Sequence, residues 1–132
     1  MPYGLNPEQY KAVVSLDGEQ RCAHFIGRVT DWETLWGVRN DEGWLVPDAP
    51  EGFEYFPVWP HPEYAQTITD KVFPRHLATE ISLADFMTDW LPKLEVDKVK
   101  VAVFPNENWE FWVVEPSDLM IALENELAQY EE

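Results

Sequence analysis

The sequence predicts an α+β fold: one domain, residues 1–132, with a mixed sheet of about five strands and helices packed on it. Three observations predict it. The spacing of apolar residues changes repeatedly along the chain, from the helical period to short β-type runs and back. Helix-start signatures stand at Asn6-Pro7-Glu8-Gln9, Ser82-Leu83-Ala84-Asp85 and Glu115-Pro116. No tract is long or polar enough to divide two domains, and 45% of the chain is hydrophobic, enough for one core.

In the first helix, Asn6 caps, Pro7 suits the first position, and Gln9 completes a capping box. Tyr10, Val13 and Val14 follow at helical spacing, and Asp17-Gly18 reads as a break. Cys22, Phe25, Ile26 and Val29 then form one face of a second helix. Leu35–Val38, a turn at Asp41-Glu42-Gly43 and Trp44–Val46 read as a hairpin over 34–47. Phe53–Trp59 is an aromatic strand closed by Pro60, and Pro62 starts a short helix behind His61.

Residues 71–80 carry little pattern; Ala78–Ile81 reads as a short strand. Leu83, Phe86, Met87, Trp90, Leu91 and Leu94 form the clearest amphipathic stripe. That helix should end or kink at Pro92, which cannot donate to Thr88. Val99–Phe104, a turn at 105–108 and Glu110–Val114 read as a second hairpin, expected in one sheet with 53–59. Leu119, Leu123, Leu127 and Tyr130 share the face of a last helix opened by Pro116.

The net charge is −16, from 25 acids and nine bases. It is concentrated: residues 40–70 hold seven acids and 101–132 hold eight, and neither window holds a lysine or arginine. Such a chain repels phosphate backbones and anionic membrane surfaces, so the expected partners include neither nucleic acid nor membrane. The acid excess serves solubility at the least. If the two windows meet in the fold, it also makes an acidic face for a basic protein partner. The carriers expected on that face are Glu107, Glu110, Glu124 and Glu126, with Trp109 as an anchor. Trp109 and Trp112 have opposite strand parity, which leaves one of them outside the core.

Catalytic machinery finds little support. His24, His61 and His76 stand apart from one another and from other metal-ligating spacings, so no metal site and no cofactor is expected. Cys22 shares a helix face with Phe25, and His24 lies roughly 200° away around that helix, which points to a core thiol over a nucleophile. The serines lack a nucleophile-elbow setting and the glycines are scattered. The residues therefore point away from an enzyme. An alternative reading is an aromatic pocket near Trp36, Trp44, Trp59 and His61 that binds a small molecule or performs a minor reaction. His61, rigid between Pro60 and Pro62, reads either as a partly exposed ligand contact or as a helix cap.

Several strings carry a family resemblance: Trp36-Gly37 with Asp41-Glu42-Gly43-Trp44, Phe56-Pro57-Val58-Trp59-Pro60-His61, Ile81-Ser82-Leu83, Trp90-Leu91-Pro92 and Val103-Phe104-Pro105. In these, from about Tyr10 to Tyr130, the chain resembles the bacterial domain-of-unknown-function family numbered 2750. That resemblance implies no catalytic or binding residue. Phe56–Trp59 and Val101–Asp118 carry a looser, fold-level likeness to the enhanced-serine-sensitivity (SseB-like) domain. The expected role is a non-enzymatic protein-interaction module of the bacterial cytoplasm, of the immunity or antitoxin kind. The compartment follows from the single cysteine and from a start that lacks a signal-peptide pattern.

Overall fold

The computed structural model describes residues 4–131. Its first two helices begin as their sequences dictate. In α1 (Pro7–Val14) the Asn6 side chain accepts from the Gln9 amide at 2.8 Å while the Gln9 side chain accepts from the Asn6 amide. Asp17 does the same with Gln20, so the Asp17-Gly18 break is also the start of α2 (Gly18–Trp32). Glu33, in the left-handed conformation at φ 58°, ends α2 and turns the chain into β1 (Thr34–Asn40). β2 (Gly43–Trp44) returns against β1. After a loop come β3 (Glu54–Val58), α3 (Pro62–Val72) and β4 (Leu77–Ser82).

The stripe-bearing helix does not stop at Pro92. It runs as α4 (Leu83–Asp85), a π turn (Phe86–Trp90) and α5 (Leu91–Val96), placed end to end. Ser82 caps it by accepting from the Asp85 amide. The Leu91 amide reaches back five residues to the Phe86 carbonyl, so the register widens just ahead of the residue that has no amide to give. β5 (Val99–Val103), β6 (Trp112–Val114) and α6 (Pro116–Ala128) complete the chain, with a 3-10 turn at Gln129–Glu131. Leu119 and Leu123 of α6 are buried, whereas Tyr130, expected on the same face, is 57% exposed in the 3-10 turn.

The class is α+β, but the strands make two three-stranded sheets in place of one sheet of about five. The first has the order β2-β1-β4 and is antiparallel throughout. The second has the order β3-β5-β6, with β3 and β5 parallel and β5 and β6 antiparallel, so 53–59 and 99–114 do share a sheet. Among the described residues a single bridging pair joins the two sheets by backbone hydrogen bonds. The Trp36 amide donates to the Trp59 carbonyl at 2.9 Å, and the Trp59 amide donates to the Trp36 carbonyl at 2.8 Å. Trp36 lies inside β1 but Trp59 lies just past the end of β3, so the ladder breaks off after that pair.

The core sits where both sheets meet α2, α3, the α4–α5 rod and α6. Phe25, Val29, Leu35, Val38, Phe56, Trp59, Ile68, Phe86, Val101 and Leu123 are fully or almost fully buried there. Trp59 is satisfied in the interior because its indole N–H donates to the Pro105 carbonyl at 3.0 Å. Gln66 of α3 protects the edge of β4. Its side-chain amide donates to the His76 carbonyl and accepts from the Ala78 amide, as a neighbouring strand would. No helix among the described residues is long and apolar enough to cross a membrane.

Candidate functional site

Two adjoining clefts lie where the corner between α1 and α2 meets the 105–111 loop. The first has a volume of about 690 Å³ and is walled by Ser15, Asp17 and Gly18 on one side and by Asn106, Glu107, Asn108 and Glu110 on the other. The second, about 470 Å³, runs from Tyr10, Lys11 and Val14 to Glu63 and Glu107. Val14 and Glu107 line both, so the two form one depression.

Arg21 makes the floor of the first cleft. It stands in the first turn and a half of α2 and is only 3% exposed. Its Nε donates to the Phe104 carbonyl and one terminal nitrogen to the Glu110 carbonyl, both at 3.0 Å; the other terminal nitrogen donates to the Leu16 carbonyl. Burial pulls its pKa down, while Glu110 and Asp17 act in the opposite sense. All three nitrogens therefore hold backbone. They clamp the α1–α2 corner to the end of β5 and to the loop.

That loop is shaped by two large residues in the left-handed conformation, Phe104 at φ 53° and Trp109 at φ 59°. Asn106 folds it locally: its side-chain oxygen accepts from the Asn108 and Glu110 amides, and its side-chain nitrogen donates to the Glu110 carboxylate. Glu107 is exposed and pairs with Lys71 at 3.2 Å. It also lies close enough to Tyr10 to act on its hydroxyl. Burial first, then the Glu107 and Glu63 carboxylates, push the Tyr10 pKa up to about 12.

Glu107, Trp109 and Glu110 thus come from one loop, and Glu107 and Glu110 face the same cleft. Trp109 is half-buried between Trp59, Phe73 and Phe111, and its indole N–H donates to the Tyr55 hydroxyl at 2.9 Å. It holds the loop from beneath and does not project. One of the two tryptophans does lie outside the core, as expected, but strand parity is not the cause, because the strand begins only at Trp112. Trp112 is the more exposed of the two, 40% open, and rests against the first turn of α2 at Gly18. Glu124 and Glu126 stand on α6, about 200° apart around the helix, the first exposed and the second half-buried. The two cannot belong to one face.

Of the four members of the alternative pocket, only Trp44 lines one of the clefts described here. Trp59 is fully buried. Of the two readings of His61, the helix cap is the one the structure has: its Nδ1 caps α3 by accepting from the Glu63 amide at 3.1 Å, and the residue is buried at 7% exposure in place of being a partly exposed contact. Trp36 is in the bridge that joins the sheets, and Trp44 faces a separate cleft with Trp90. Cys22 is buried, and burial, then Glu19, push its thiol up to about 11, which leaves almost no thiolate at neutral pH. Among the described residues no group of three or more His, Cys, Asp or Glu is placed to hold a metal.

Sequence reasoning passed over Arg21. The signal was present: Arg21 lies four residues before Phe25 on the buried side of α2, an interior position that a lone arginine occupies only when its donors are engaged. A search of curated proteins finds no match to this chain. A family model does match, over residues 22–123, which takes in Arg21's neighbours, both sheets, the 105–111 loop and most of α6. By that match the chain belongs to the family described as "Protein of unknown function (DUF2750)".

Proposed function

We propose that this protein is an interaction module of the bacterial cytoplasm that receives a basic segment of a protein partner in the cleft between the α1–α2 corner and the 105–111 loop. The observation that carries the reading is the charge of that cleft. Asp17, Glu107 and Glu110 stand on its walls, and the one arginine in its floor has all its nitrogens engaged by backbone carbonyls. A lysine or arginine entering the cleft meets the Asp17 and Glu110 carboxylates, each with one oxygen already accepting a local hydrogen bond, and Glu107 in competition with Lys71, together with the polar groups of Ser15, Asn106 and Asn108. The net charge of −16 adds long-range attraction for such a partner. Neutralisation of a basic toxin, as an immunity protein or antitoxin would perform, is one role of this kind.

A fluorescent nonalysine peptide tests the reading by anisotropy at low and high salt. Exposed charges are screened within about 8 Å at physiological ionic strength, so binding should weaken steeply as salt rises. Glu107→Gln with Glu110→Gln should weaken it about tenfold or more. Asp118→Asn with Glu124→Gln removes two exposed charges from α6 and should change it far less. Equal losses from the two double variants would mean that total charge attracts the peptide and that the cleft does not receive it.

A further inference from the structure

A third cleft, of about 330 Å³, shares no residue with the first two: Trp44, Trp90 and Leu94 make an apolar floor, and Asp89, Lys93 and Asp97 stand at its rim. Trp90 is fixed by its neighbours. Its ring lies 5.0 Å from Phe56 at 30° and meets Trp44 edge-to-face at 4.9 Å and 86°. Trp44 in turn sits over Gly37, where a Cβ would come within 3.2 Å of its ring. Arg39 lies over Trp44 at 5.2 Å but is not among the residues that line the cleft.

The rim has an uncompensated charge. Lys93 pairs with Asp97 one helical turn on, at 3.2 Å. Asp89, one turn before Lys93, has no cationic partner among the described residues. Asp89, Lys93 and Asp97, the C-cap of α5, form one row along the π turn and α5, and Trp90 and Leu94 form the next, so a carboxylate stands directly beside an aromatic floor. Pockets of about 300–1,000 Å³ with an apolar lining and a few placed polar groups take small ligands.

We infer that this cleft binds a small organic amine: an apolar or aromatic body on Trp44, Trp90 and Leu94, with its ammonium at Asp89. The inference stands apart from the acidic cleft and from any protein partner. The probes are 2-phenylethylamine, its neutral analogue 2-phenylethanol and its anionic analogue 3-phenylpropionate, titrated into the full chain labelled at the indole nitrogens. NMR reads seven tryptophan side chains separately, and Trp44→Phe and Trp90→Phe assign the two that matter. The amine should shift the Trp44 and Trp90 indole signals saturably and bind about tenfold more tightly than the acid, with the alcohol between. Asp89→Asn, an exposed change that leaves the floor intact, should remove the preference for amine over alcohol while the alcohol binds as before. Equal affinity for the three probes, a preference that survives Asp89→Asn, shifts confined to other tryptophans, or no saturable shift would each overturn the inference.

Discussion

Replacing Arg21 by methionine isolates the clamp beneath the acidic cleft. Methionine keeps a similar apolar stem and leaves three carbonyls without their donor, those of Phe104, Leu16 and Glu110. The Phe104 bond is buried, and a buried acceptor left unmet costs about 1–3 kcal/mol. The Leu16 and Glu110 carbonyls are partly buried at the cleft wall, where water replaces the guanidinium, so each should cost about 0.5–1 kcal/mol. Removing a buried charge offsets part of this total. The expected net loss is about 2–3 kcal/mol. With a urea slope of about 1–3 kcal/mol/M, the midpoint should fall by about 1–2 M with the slope unchanged. Hydrogen exchange gives a local readout: the Trp109 and Glu110 amides, bonded to Asn106, should lose protection more than amides of β1 and β4. A stability loss below about 1 kcal/mol, or exchange unchanged in the loop, would refute the clamp.

Trp90→Ala should cost about 3 kcal/mol by urea denaturation, because the indole packs on both Phe56 and Trp44; a loss under about 1 kcal/mol would mean the contact is not part of the core. Gly37→Ala should cost about 1–3 kcal/mol, since the added Cβ would stand 3.2 Å from Trp44 and 3.3 Å from Phe56; a neutral result would show that Trp44 yields freely. His24 is expected to make stability pH-dependent. Its Nε2 is buried without a partner, and burial, then Arg28, lower its pKa from 6.5. The unfolded chain therefore takes the proton first, so this contribution is complete above about pH 6.5 and is lost as pH falls through the depressed native value. His24→Leu should flatten the stability profile in that window, and an unchanged profile would remove His24 as its source. Cys22 should alkylate far more slowly at neutral pH in the native protein than in urea; equal rates would contradict its burial.

The parts of the fold legible in the sequence are those decided within a few residues. Asn6 with Gln9 and Ser82 with Asp85 are capping pairs three residues apart, and both occur as read. The Trp36–Trp59 pairing spans a turn, a loop and a strand end, and nothing in either local pattern says that the ladder lasts one pair; hence two sheets were not foreseen. Pro92 was read by the rule for an α-helix, but a five-residue turn already moves the previous hydrogen bond out of register, and the helix passes through. Of the candidate site, Glu107 and Glu110 were legible as acids beside a turn. Their cleft was not, because its other wall comes from Ser15 to Gly18, some ninety residues earlier, held by Arg21.

The two sheets are also interlaced along the chain. β1 and β2 belong to the first, β3 to the second, β4 to the first again, and β5 and β6 to the second. No single cut yields a fragment with one whole sheet and none of the other, so proteolytic dissection should release no autonomous half. The parallel β3–β5 pair closes over α3, β4 and the whole α4–α5 rod, a long excursion whose entropy is lost before the pairing repays it. Folding should accordingly be slow for a chain this short, and both sheets should appear together in a single kinetic phase, with the tryptophan pair as the seam at which they close.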